Sequence, residues 1–230
     1  MSALAELIQD AGVPISRTPQ RLRDLPVTLS KDRRVELEMV LHLRDGFRAL
    51  GGALLVRPSI SVGTTQGIAA WNRLSGWRRP YAKSSELLFF AEDIVGHQFG
   101  LYRDEIVRFN PERGTFEHYA FKLERWAQRV LGERIELGEA VVEGWVEVGN
   151  PALETTQKLQ PSHPALLERD DVVTHTLRDD VDLMTRYARL FQETAAAGGD
   201  PTALDLWWWN EDDPLATRDV AESPPSPDDA

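Results

Sequence analysis

The chain has no cysteine. That excludes disulfide scaffolds, thiolate zinc sites, iron–sulfur ligation and cysteine nucleophiles. It also fits a cytoplasmic location. No apolar run approaches the roughly 20 residues that span a bilayer, so no membrane association is expected. Met1 to Asp10 holds two acids and no basic stretch ahead of an apolar core, so no secretory signal is expected there. Histidine is sparse: His42, His97, His118, His163 and His175 are scattered, with no His-x-Glu or His-Glu-x-x-His pattern. No Gly-x-Ser-x-Gly elbow is present. The segment Gly63-Thr64-Thr65-Gln66-Gly67 lacks the Gly-Lys-Ser/Thr end of a phosphate loop. Positive charge is in deficit, with 26 Lys and Arg against 37 Asp and Glu, a net −11. This argues against a nucleic-acid partner, which needs a basic face. It leaves a basic protein partner open.

The nearest approach to a reactive cluster is Glu92, Asp93 and His97. Adjacent carboxylates on an extended chain point to opposite faces. No second group of ligands stands beside them, so they read as turn and cap residues after a strand. His97 and His118 would have to meet across a sheet to build anything more, and no spacing in the sequence brings them together. No catalytic residue, metal or cofactor is expected.

What is present is an ordinary globular composition, 42% hydrophobic and 27% charged over 230 residues. That size suits one large domain, or one domain with an extension. Ser2 to Asp10 has helical spacing. Arg33 to Leu50 reads as a long helix with Val35, Met39, Val40, Leu43, Phe47 and Leu50 on one stripe, stopped by Gly51-Gly52. Gly52 to Val56 reads as a buried strand, and Gly67 to Leu74 as a short helix. Four strands follow: Leu87–Ala91, Gln98–Tyr102, Glu105–Phe109 and Thr115–Phe121. Arg103-Asp104 is a two-residue hairpin link, and Asn110 to Gly114 has Pro and Gly placed for a tight turn. Short links between strands require antiparallel pairing. Lys122–Leu131, Ile135–Val148 and Val181–Ala197 then read as helices, and Leu204–Trp209 as a short strand. The expected fold class is α+β: an antiparallel meander of about 4–6 strands packed against flanking helices.

Trp207-Trp208-Trp209 stands apart from the other tryptophans, because a strand there cannot bury both faces without cover on each side. Arg17, Arg21, Arg23, Lys31, Arg33 and Arg34 form a basic segment that reads as a solvated surface. From Asn210 to Ala230 seven acids oppose one base, Arg218, among four prolines. That stretch reads as an acidic, disordered tail.

Leu87 to Leu131 resembles the SUKH superfamily, named after bacterial immunity proteins and a fungal cell-wall-assembly regulator. The matching pattern is a strand ending in Phe90-Ala91-x-Asp93, then Gly96 with Gln98-Phe99. After it come the turn Pro111-Glu112-x-Gly114 and a helix with Glu124-x-Trp126-Ala127. Leu159 to Pro164 and Asp182 to Phe191 are similar to the C-terminal half of some actinobacterial members. The family's glycine-rich turn after Pro164 is replaced by Ala165-Leu166-Leu167-Glu168. The resemblance implies one domain over 1–209, with a motif core at 87–131, a helical extension at 135–209, and a tail at 210–230. It also implies a cytoplasmic, non-catalytic immunity protein that binds and neutralises a toxin, nuclease- or deaminase-like and basic. On its own the chain is expected to be a monomer or weak dimer. A regulatory scaffold binding other cellular proteins is the alternative, followed by a hydrolase or metal enzyme around Glu92, Asp93, His97 and His118. The partner surface is expected on the sheet's exposed face or edge. Its candidate residues are Glu92, Asp93, Glu105, Glu112 and Glu117, with a patch of Trp207, Trp208, Trp209, Glu211, Asp212 and Asp213.

Overall fold

The computed structural model describes residues 1–169 and 172–211. Its centre is the expected meander. Six strands, β1 (Phe47–Ala49), β2 (Leu54–Val56), β3 (Leu88–Asp93), β4 (Gln98–Tyr102), β5 (Glu105–Asn110) and β6 (Thr115–Ala120), lie in sequence order, each antiparallel to the next. A second, two-stranded sheet pairs β7 (Gln157–Pro161) with β8 (His175–Asp179). Six α-helices complete an α+β fold among the described residues: α1 (Ala3–Asp10), α2 (Lys31–Leu43), α3 (Ile68–Trp71), α4 (Leu123–Gly132), α5 (Glu139–Glu147) and α6 (Asp180–Ala196).

The β3–β6 meander follows from its links. Arg103 takes a left-handed φ of 52° in the two-residue turn between β4 and β5. Asn110 Oδ1 accepts from the Glu112 and Arg113 amides, which closes the next turn, and Gly114 takes φ 62°. Period-2 alternation then sends side chains to both faces of the sheet. Leu88, Phe90, Phe99 and Leu101 face α1, α2 and α4, where Trp126 stacks edge-on against Phe90 and Phe99. Phe89, Val107 and Phe109 face a second core built from Trp71, Trp77, α6 and the C-terminal tryptophans. Helices and loops cover both faces over most of the sheet, and what stays exposed is the β6 edge, at Thr115, Glu117 and His118.

Other expectations also change. The helix read over Arg33–Leu50 ends at Leu43. Gly46 turns the chain at φ 68°, and Phe47–Ala49 becomes an edge strand. Val35, Met39 and Leu43 of the expected stripe are exposed, Val40 of that stripe is buried as expected, and Leu37 and Leu41 are buried beside it. The helix read from Ile135 starts only at Glu139, since Gly138 stands at φ 88° before it. Leu204–Trp209 is not a strand: Trp207–Trp209 forms a 3₁₀ turn. The expected helical extension at 135–209 also holds strands, since Gln157–Pro161 and His175–Asp179 pair as β7 and β8.

Candidate functional site

The most concentrated chemistry lies beneath the sheet and is sealed. Arg57 follows β2, Glu92 is the last residue but one of β3, Lys158 sits in β7 and Asp180 opens α6. All four are at most 1% exposed. Arg57 Nη2 lies 2.6 Å from Glu92 and 2.7 Å from Asp180, and Lys158 Nζ lies 3.1 Å from Glu92. Gln98 donates to the other Glu92 oxygen at 2.7 Å and accepts from the Trp71 indole at 2.9 Å. The Arg57 guanidinium lies over the Trp71 ring, 3.2 Å from its centroid. Two cations and two carboxylates make this cluster electrically neutral, as burial requires.

Its members are electrostatically unequal. Burial pushes the Asp180 carboxyl up to about 6, against the pull of Arg57. Burial also opposes ionisation of Glu92, but Arg57 and Lys158 outweigh it and hold Glu92 below its ordinary value. Burial lowers Lys158. These groups tie β2, β3, β7 and α6 into one body, which is a structural task.

Asp93 belongs to a second group. It is fully buried and binds His97 Nδ1 at 2.9 Å and Arg108 Nη2 at 2.9 Å. Burial raises its carboxyl, but His97 and Arg108 together hold it below its ordinary value. Arg108 Nη2 also lies 3.3 Å from His97 Nδ1. That nitrogen cannot donate to Asp93 and accept from Arg108 at once. The shorter contact assigns the proton to Nδ1, with both groups donating to Asp93. His97 and Arg108 line an open cavity of about 340 Å³ that also includes Arg113, Thr115 and Glu117. His118 lies elsewhere, bonded to Glu105 at 2.7 Å, so the two histidines serve different carboxylates.

The expected partner residues therefore divide. Glu92, Asp93 and Glu112 are buried, and no partner reaches them in this fold. Glu112 accepts from the Ala165 and Leu166 amides and so anchors the turn at 165–167. Trp208 and Trp209 are 1% exposed and belong to the core, while Trp207 is half-buried. They are fixed because Arg186 donates to the Trp208 and Trp209 carbonyls, and Gln160 donates to Trp209. Glu211 is exposed, and its carbonyl accepts from Arg186. Glu117 is exposed and Glu105 half-exposed, at and beside the edge strand β6. Asp212 and Asp213 lie outside the described residues.

Sequence reading missed the surface of residues 135–148. α5 exposes Glu143 and Glu147 one turn apart, with Glu136 exposed just before it. Among these acids Ile135 is 75%, Val146 47% and Val148 77% exposed. Trp145 is half-buried, its indole donating to the Pro151 carbonyl at 3.0 Å. The i, i+4 pair Glu143 and Glu147, on the helix read over Ile135–Val148, was the available signal.

Among the described residues no group of three or more His, Asp or Glu is placed to hold a metal, and no helix is long and apolar enough to cross a membrane. Comparison with family models, curated proteins and solved structures gave no match.

Proposed function

We propose that this chain is a non-catalytic protein-binding module of the SUKH type, an immunity protein that binds and neutralises a basic toxin domain. The observation that carries this reading is the α5 ridge. Exposed Ile135, Val146 and Val148 stand among Glu136, Glu143 and Glu147. Apolar side chains with a charged rim are the composition of an interface rather than of an idle surface. The acids favour a basic partner and repel acidic ones. The buried ionic groups support the reading from the other side: Glu92, Asp180, Arg57 and Lys158 are committed to each other.

The test is capture of partners by the tagged full chain from a lysate of its source, at low and moderate salt. It is repeated with Glu143→Lys/Glu147→Lys and with Glu105→Lys/Glu117→Lys. The expected result is one stoichiometric, basic, toxin-like protein, weakened by salt and lost only with the α5 pair. Capture that ignores the α5 reversal moves the interface to the β6 edge. A captured protein with no toxic activity replaces the immunity reading with a scaffold.

A further inference from the structure

Arg17, Arg21, Arg23 and Lys31 of the basic segment are exposed, as expected of a solvated surface. Arg21 and Arg23 flank Leu22, which is 2% exposed. The loop around them is held: the Gln20 amide donates to Ser59 Oγ at 2.9 Å and the Leu22 amide to Glu38 at 2.9 Å. Asp24 then reverses the chain with a left-handed φ of 53°. Arg21 and Arg23 themselves are exposed. Both line a cavity of about 500 Å³, which Arg73 enters from the end of α3. None of these three arginines makes an ion pair or a side-chain hydrogen bond among the described residues. Arg33, Arg57, Arg108, Arg129 and Arg134 have carboxylate partners, whereas Arg21, Arg23 and Arg73 are exposed and share a cavity lining with one carboxylate, Asp24.

The rest of the lining adds donors. Ser61 Oγ accepts from the Gly67 amide at 3.1 Å, and its own proton has no acceptor among the described residues. Asp24 is the single carboxylate against three guanidinium groups. A concave surface rich in donors and short of acceptors calls for a ligand with several anionic oxygens. The volume exceeds what a bare phosphate fills and lies in the range of small-molecule sites. Ile60, Ala69 and Ala70 supply an apolar wall. A second cavity of about 470 Å³, lined by Thr64, Gln66 and Trp77, adjoins it and shares Ser61, Ala70 and Arg73.

We propose that Arg21, Arg23 and Arg73 form a binding site for a phosphate-bearing small molecule. Its phosphate sits between the three guanidinium groups, and its organic part lies along Ala70 toward the second cavity. No residue of this site belongs to the α5 ridge, so the two proposals stand or fall separately.

The test is an NMR titration of the full chain, without any partner, using ADP and, separately, sodium phosphate at constant ionic strength. Saturable shifts are expected at the Ser61 and Arg73 amides. Arg21→Gln/Arg73→Gln is expected to weaken binding at least about tenfold, the effect of losing one charged hydrogen bond. Arg73→Gln alone weakens it less, and the distant Arg125→Gln leaves it unchanged. Tighter binding of ADP identifies an organic phosphate as the ligand; equal binding identifies free phosphate. Absence of saturable shifts with both probes overturns the site. So does equal weakening by Arg125→Gln, which would reduce the effect to overall charge.

Discussion

Arg57 shows how one residue commits a region of the molecule. Its guanidinium bridges Glu92 and Asp180 and covers Trp71, with none of its side chain exposed. Such a charge is stable in the interior only while its partners stay charged or hydrogen-bonded. Asp180 is the weaker of the two, since burial has raised its carboxyl to about 6 from 3.8. A raised carboxyl binds its proton more readily in the folded chain than in the unfolded one. Its stabilising contribution is therefore complete below about 3.8 and is lost as pH rises through about 6. Asp180→Asn keeps the protonated shape at every pH. The stability of Asp180→Asn relative to the wild type is expected to rise between about pH 4 and 6 and to level off above 7. Urea unfolding across that range measures it. A difference that stays flat with pH would remove Asp180 as the titrating member of the cluster.

At the scale of elements, the C-terminal segment depends on side chains that reach for backbone carbonyls. Arg186 of α6 donates to the carbonyls of Trp208, Trp209 and Glu211. Arg186→Lys keeps the charge but loses the planar fork that reaches several oxygens at once. It is expected to cost about 1–3 kcal/mol, the penalty for buried carbonyls left without donors. Hydrogen exchange at residues 204–211 is expected to rise before exchange in β3 to β5. Uniform exchange across both regions would show that the segment is not a separate unit.

The β3 to β6 meander was legible in the sequence because each of its links is local chemistry: Arg103-Asp104 for one hairpin, Asn110 to Gly114 for the next. β1 was not legible. Phe47 and Leu50 continue the helical spacing of α2, but the chain leaves the helix at Arg44 and turns at Gly46, where a side chain would clash with Pro58. β7 was hidden for a different reason. Lys158 and Gln160 are polar yet buried, so the strand shows no alternation. The ionic cluster was illegible too, because Arg57, Glu92, Lys158 and Asp180 meet only in the folded chain.

At the scale of the whole molecule, long-range charge and local contact separate into different rate constants. A net charge of −11 steers a basic partner toward every orientation of the surface and acts on the encounter rate. On the proposed reading the α5 ridge would act after contact, where the exposed Val146 and Val148 would be desolvated, and so on dissociation. Residues 212–230 carry six acids and Arg218, nearly half of the net charge. Truncation after Glu211 is therefore expected to lower kon for the captured toxin on the order of threefold at about 50 mM salt, with little effect at about 500 mM, where screening is short-ranged. koff is expected to stay unchanged. Glu143→Lys/Glu147→Lys is expected to do more, raising koff at both salt concentrations. Surface plasmon resonance with the purified pair separates the two rate constants. A truncation that raises koff would put Asp212 and Asp213 in contact with the partner and shift the interface from α5 toward the C-terminal tryptophans.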